Sequence, residues 1–478
     1  MIFNSLDFLI FLTFVFFLYW FAFKNNLKFQ NILLLISSYF FYSCWDWRFV
    51  FLLLFSTLLD YFSGIMINNT ENIKFKKIWF WISISVNLGL LCILKYYNFF
   101  VESFAIILDN IGLKTNPTIL QIILPVGISF YTFHGLSYVI DIYKNKIKAE
   151  KNFIDYAVFV SFFPLLVAGP IERATHLLPQ IQKKRNFEYK KAVDGLKQIL
   201  WGVLKKIVIA DHCAEYANQI FNNSNDYSGS TLALGAIFFS FQIYCDFSAY
   251  SDIALGTARL FGIELLKNFS YPYFSRDIAE FWRRWHISLS SWFRDYLYIP
   301  LGGSKGGIWK KIINTLIIFI VSGFWHGANW TFIIWGLLNA LYIMPSIIMN
   351  KNRNNIEIVA KGKLLPSFKD LANIGITFIL TAFAWIFFRS ENLKQAFNYI
   401  MKMFSKNLFS IPDVMPMYLL FIITIFIVIE WIGRESHYPI ANLFKNWNRI
   451  YRWSFYVLIC FIIFLFQGKE QQFIYFQF

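Results

Sequence analysis

The sequence predicts an all-α, polytopic membrane protein, and three observations carry that prediction. Hydrophobic residues fill 57% of the 478 positions and aromatic residues 21%, against only 15% charged, and the mean hydropathy is +0.49. A soluble chain of this length needs a charged exterior that this composition does not supply. The apolar residues also gather in runs of about 20, the length of helix that crosses a ~30 Å hydrocarbon core. Finally, the 44 Lys and Arg residues, which leave a net charge of +16, cluster between those runs.

The expected spans are 1–23, 30–45, 48–68, 78–98, 119–142, 153–170, 194–221, 231–263, 312–345, 371–388, 416–433 and 452–467. Some could hold two crossings or a re-entrant piece, which gives roughly 10 to 13 spans at about 20 residues each. The first run has no basic residue before it and no small-residue cleavage site, so it is expected to stay as a span rather than leave as a signal peptide. Lys24 and Lys28 follow it while only Asp7 precedes them, which predicts an N-terminus outside the cytoplasm. The basic clusters KNKIKAEK (144–151), KKRNFEYKK (183–191), RRW (283–285) and KGGIWKK (305–311) read as cytoplasmic loops touching anionic headgroups, not as a nucleic-acid surface. Cys44, Cys92, Cys213, Cys245 and Cys460 have no paired spacing and suggest neither a disulfide framework nor a zinc site. No internal repeat or linker appears, so 1–478 is treated as one domain.

Polar residues interrupt the apolar pattern in three places. The stretch 123–144 carries His134, Asp141, Gly127 and Gly135; 242–256 carries Asp246 and Asp252; and 312–350, with no Asp, Glu, Lys or Arg, carries His326. Ionisable groups at membrane depth are costly unless they face a cavity or a partner, so each is a candidate functional residue. The plainer alternative is one polar side chain joining two helices. The six-residue spacing of Asp246 and Asp252 puts them on different helix faces and argues against a carboxylate pair.

Between the second and third stretches, Trp282, Trp285, Leu289, Trp292, Phe293 and Tyr296 recur at helical spacing, with Arg283, Arg284, Ser290, Ser291 and Arg294 off that stripe. This predicts a helix in the membrane interface, aromatics towards lipid and arginines towards headgroups or an anionic ligand. The glycine pairs at 302–303 and 306–307 follow as a flexible turn and match no phosphate-binding P-loop. The six histidines, His134, His176, His212, His286, His326 and His437, show no metal-ligand spacing, so no metal is expected. A buried neutral imidazole can instead act as a general base on an incoming hydroxyl.

The strings DFSAYSDIALGTARLFGIELLKNF, IAEFWRRWHISLSSWFRDYLYIPLGG and SGFWHGANWTFIIWG resemble the membrane-bound O-acyltransferases, and among them the bacterial branch that acylates cell-surface polysaccharides. LPVGISFYTF, YVIDIY, FFPLLVAGPIERA and WIFFR (385–389) extend the likeness over most of the chain. The chain departs from the pattern at His134 and Leu165, where relatives often have Gln, at Ala249 for Gly, and at Asn339 for His. The resemblance implies a ring of tilted transmembrane helices with interfacial helices around a central tunnel. It makes His326, of the WHG motif, the catalytic histidine and His286, of RRWHxS, a second active-site histidine.

The terminal run GKEQQFIYFQF reads by composition as an interfacial aromatic belt. It also resembles the C-terminal motif of this branch (473–478 here), whose tyrosine is implicated as a transient acyl acceptor; that residue is Tyr475. The resemblance therefore implies an inner-membrane O-acetyltransferase with both termini extracytoplasmic. Acetyl would pass from cytoplasmic acetyl-CoA through Tyr475 to an extracytoplasmic acyltransferase partner, and then to a cell-surface polysaccharide. Peptidoglycan is the narrower expectation, with alginate or another exopolysaccharide as the alternative. Arg283, Arg284 and Lys305 are the expected contacts to donor phosphates. A transporter or flippase is the competing class; it predicts inverted repeats, which the sequence does not show. A lipid- or protein-acylating enzyme, the third, would need no extracytoplasmic partner.

Overall fold

The computed structural model describes residues 1–443, 445–468 and 471–474. Among them the regular structure is helical, with no strand. The chain forms two compact units, residues 1–195 with 257–266 and residues 196–256 with 267–478. Tyr475 lies outside the described residues.

Six helices are long and apolar enough to cross a membrane: Arg48–Asn69, Ile73–Asn110, Gly229–Leu260, Gly307–His326, Trp330–Ile348 and Phe368–Arg389. Two shorter apolar helices are Leu6–Ala22 and Met417–Gly433. The protein is thus a multi-pass membrane protein. Five expected spans, 30–45, 119–142, 153–170, 194–221 and 452–467, are not among these helices, and two of them depart furthest from a single crossing. The run 119–142 is helical only from Ile128, after Gly127 in the left-handed region at φ 74°. A Cβ there would stand 2.0 Å from the Leu166 carbonyl oxygen, so the close approach needs glycine. The run 153–170 becomes two short helices, Phe153–Ser161 and Phe163–Leu166, separated at Phe162. From Ile128 onward the first run is buried in protein, as is nearly all of the second, whereas Ile119, Leu120 and Ile123 ahead of Gly127 are exposed.

Within the first unit, buried polar residues join helices. Asp60 accepts hydrogen bonds from Ser83 Oγ at 2.6 Å and Asn87 Nδ2 at 2.8 Å. Gly135 leaves it room, since a Cβ would lie 1.9 Å from Asp60 Oδ2. His134 Nε2 accepts the Glu172 N–H at 3.1 Å, and Asp141 pairs with Lys146 at 3.0 Å. His134 thus ties its helix to the segment before Ala174–Gln182, while Asp141 pairs within the turn that follows its own helix.

In the second unit, the run 312–345 belongs to two helices, Gly307–His326 and Trp330–Ile348, joined by three residues. Asn329 caps the second by accepting the Thr331 N–H at 3.0 Å. Their contact is made by glycine. A Cβ on Gly323 would sit 2.3 Å from Phe332 O, and one on Gly336 2.3 Å from Phe319 O. Lipid supplies no hydrophobic drive between helices, so such close backbone contact is what holds the hairpin together.

Gly336→Val is therefore expected to destabilise the purified protein by about 1–3 kcal/mol, the usual range for overpacking. Gly375→Ala, whose Cβ meets nothing within 4 Å, is the control and should melt at or slightly above wild type, since alanine favours a helix interior by about 0.5–1 kcal/mol. A Gly336→Val protein that melts with wild type would refute the glycine contact.

Candidate active site

The WRRWH segment is not one lipid-facing helix. It breaks between Ile278–Arg284 and Ile287–Phe293, with His286 between them at φ 43° and ψ 54°. A non-glycine residue there costs about 1–2 kcal/mol, which the surrounding packing must offset. The aromatic stripe faces protein: Trp285, Leu289, Trp292 and Phe293 are buried. This corrects the expectation of aromatics towards lipid, because core-facing and lipid-facing stripes share one helical period. Trp285 stacks into the tryptophan and phenylalanine core, with its ring 5.1 Å from Trp385.

His286 and His326 line a single cavity of about 510 Å³. That size is within the usual range for small-molecule sites. Trp325 lies against both histidines, its ring centroid 6.1 Å from His286 and 4.9 Å from His326. Phe247 covers His286 at 4.7 Å, while Trp335 and Phe388 cover His326 at 5.1 and 5.3 Å. Burial among these rings pushes the His286 imidazole down to about 3, so it stays neutral at physiological pH. A neutral imidazole can accept a proton.

The cavity is also cationic. Arg283, Arg294, Lys311 and Arg353 line it, and no described carboxylate does. Arg283 is fixed by donating to the Asn352 and Asn355 carbonyls at 2.7 and 2.8 Å. Lys311 and His326 stand on the same helix, about 22 Å apart along its axis at ~1.5 Å rise per residue. A ligand with an anionic end at Lys311 and a reacting end at His326 must be long and narrow. Two expected phosphate contacts lie elsewhere. Arg284 is turned onto Glu280 at 2.7 Å, and exposed Lys305 is not part of the lining. Arg353 was not legible in the sequence because it reaches the cavity from a loop without a motif. Among the described residues no three His, Cys, Asp or Glu side chains converge as metal ligands.

Asp246 and Asp252 each pair with a lysine from the π-helix Lys205–Ala210, itself inside an apolar run. Lys205 Nζ lies 2.7 Å from Asp252, and Lys206 Nζ lies 2.9 Å from Asp246 and 2.8 Å from Asp211. The second cluster also holds the C-terminal segment. Asp246 Oδ2 accepts the Ile474 N–H at 2.7 Å, and Lys206 Nζ donates to the Gln471 carbonyl at 3.0 Å. Phe473 packs on Tyr250 at 4.8 Å and on Phe247 at 6.4 Å, the ring that covers His286. Residue 474 is only 1% exposed. The described tail thus ends inside the protein, one ring away from a cavity histidine.

A family model described as MBOAT, membrane-bound O-acyltransferase family, matches residues 143–388. The chain is 40% identical over 382 residues to the probable alginate O-acetylase AlgI of Pseudomonas aeruginosa, covering 79% of this chain and 70% of that protein. It is 36% identical over 415 residues to the peptidoglycan O-acetyltransferase of Helicobacter pylori, covering 81% and 76%. It is 29% identical over 279 residues to the teichoic acid D-alanyltransferase of Bacillus subtilis, covering 56% and 69%.

Two outcomes are expected from this geometry. In Asp246→Ala the Ile474 amide loses a charge-assisted partner worth about 1.5–3 kcal/mol, so its hydrogen exchange should accelerate roughly tenfold to a hundredfold. Unchanged protection, read by mass spectrometry, would mean that the carboxylate does not hold the tail. For His286, replacement by Asn, which tolerates the left-handed backbone, should leave the shape of the pH–rate profile between pH 5 and 8 unchanged. A shifted acid limb would show that His286 titrates in that window, contrary to its burial.

Proposed function

Because the chain belongs to the membrane-bound O-acyltransferase family and is an O-acyltransferase, we propose that it moves acetyl from acetyl-CoA on one side of the membrane to an acceptor on the other. The observation that carries this reading is the shared cavity of His286 and His326 with its four lining cations. Acetyl-CoA suits that cavity as a substrate. Its phosphates would meet Arg283, Arg294, Lys311 and Arg353, and its extended pantetheine arm would bring the thioester to His326. Arg284 and Lys305 stand aside from this role.

The acceptor in this reading is the Tyr475 phenol, presented by the segment that Asp246 and Lys206 hold. Its oxygen attacks the thioester carbonyl while His326 takes the phenolic proton. The C–S bond then breaks, the thiolate leaves with the proton returned from His326, and acetyl remains as a phenyl ester. His286, neutral and beside Trp325, orients the reacting groups. The phenyl ester is a more reactive donor than an alkyl ester and can pass acetyl to an extracytoplasmic acyltransferase that modifies a polysaccharide. The relative in Helicobacter pylori supports peptidoglycan as that polymer, and the relatives in Pseudomonas support alginate equally. In this reading the protein sits in the bacterial inner membrane with both termini extracytoplasmic.

Purified protein incubated with labelled acetyl-CoA should carry acetyl on Tyr475, and both His326→Ala and Tyr475→Phe should abolish that label. The loss in His326→Ala should be about 10²-fold or more, the usual weight of a general base. Thioester hydrolysis that depends on His326 without any label on Tyr475 would remove the relay and leave the acyltransferase. Analysis of cell-wall sugars against exopolysaccharide for ester-linked acetyl in a deletion strain distinguishes the two polymers.

A further inference from the structure

A second concave, cationic surface lies wholly within the first unit. Between the helices Ala174–Gln182 and Tyr189–Leu204, residues 183–188 cross a groove of about 240 Å³. Lys183, Lys184, Arg185, Lys191 and Arg259 line it. Two of these cations are neutralised locally: Lys191 pairs with Glu188 at 2.8 Å, and Arg259 with Asp194 and with Glu264, the latter at 3.2 Å. For Lys183, Lys184 and Arg185 no described carboxylate lies within ion-pair distance. The groove therefore holds three cations with no ion-pair partner among the described residues.

Arg185 sets this surface apart from an ordinary basic loop. It is 5% exposed, its guanidinium carbon lies 5.5 Å from the Tyr19 ring, and its Nη2 donates to Asn31 Oδ1. Its Nε and Nη1 are buried and have no hydrogen-bond partner among the described residues. Asn31 is held in turn by donating to Asp155 at 2.7 Å, so the nearest carboxylate is reached only through an amide. A buried guanidinium with unanswered N–H groups is costly, and an anion entering the groove would remove that cost. The planar fork suits a tetrahedral oxyanion.

The groove also has an apolar rim. Trp20 and half-exposed Phe187 lie 5.5 Å apart, and Phe187 meets Phe16 of the first apolar helix at 6.1 Å. Aromatic residues beside lysines at the end of an apolar helix mark headgroup depth. We propose that this groove binds one phosphate ester, with Arg185 as the inner ligand and Lys183 and Lys184 as the outer pair. The rim favours an anionic phospholipid headgroup as the source, and a soluble phosphate ester carries the same chemistry.

The test is native mass spectrometry of the full chain in detergent with dioleoyl phosphatidylglycerol or dioleoyl phosphatidylcholine, with inorganic phosphate as competitor. One phosphatidylglycerol should be retained in preference to phosphatidylcholine and be displaced by phosphate. The exposed pair Lys183→Ala/Lys184→Ala should weaken retention about tenfold at an unchanged melting temperature. Arg185→Gln, which keeps a donor for Asn31, should abolish the single tight class. Phosphate binding with the same dependence on these residues, but no preference for phosphatidylglycerol, would assign the site to a soluble phosphate ester. Equal retention of both lipids without phosphate binding, or variants that bind as wild type does, would overturn the proposal.

Discussion

A charge buried inside a membrane protein must be met by a partner, and Lys205 and Lys206 show how much of the second unit follows from that requirement. Each ammonium sits among apolar side chains, where desolvation costs several kcal/mol unless a carboxylate answers it. The answer comes from two faces of the long helix Gly229–Leu260, about 120° apart at 3.6 residues per turn, with Asp252 facing Lys205 and Asp246 facing Lys206. The six-residue spacing that excluded a carboxylate pair is the spacing needed to reach two adjacent lysines. Asp246 keeps a second oxygen for the chain terminus. Removing one partner of such a pair costs about 3–5 kcal/mol, so the cluster fixes the π-helix, the long helix and the tail as one arrangement.

The cavity rests on a different principle. Its histidines are placed by interruptions of helix: His326 at the end of one, His286 at a left-handed residue between two. Helix interiors direct side chains at their neighbours, whereas helix ends can aim them into a space. The tryptophans that fill the remaining volume make the site apolar around two imidazoles, and the cations gather along the rest of its lining.

The helical character and the membrane setting were legible because composition and run length respond directly to lipid. The number of spans was less so. Runs 119–142 and 153–170 are as apolar as true spans, but from Ile128 on the first is buried in protein, as is nearly all of the second, and sequence does not distinguish the two solvents. The stripe from Trp282 to Tyr296 misled for the same reason. His286 and His326 were found by motif, and by the rarity of an ionisable residue between Ile312 and Asn350. Lys205 and Lys206 carried an equally clear signal, two lysines inside an apolar run, yet that run was read only for its length. Arg353 and the Asn31–Arg185 contact depend on long-range folding and left no local trace.

The anchored tail has a kinetic meaning. A segment joined through the backbone and pinned at Gln471 and Ile474 is present beside the cavity at an effective concentration set by chain length, not by expression level. If Tyr475 is the acceptor, as proposed, any diffusing alcohol, water included, would compete with a group tethered to this segment. Occupancy of that route in cis is therefore first order in the protein. In the proposed relay a partner on the far side would meet a donor prepared before it arrives, so encounter and acyl loading would be separable steps with separate rates.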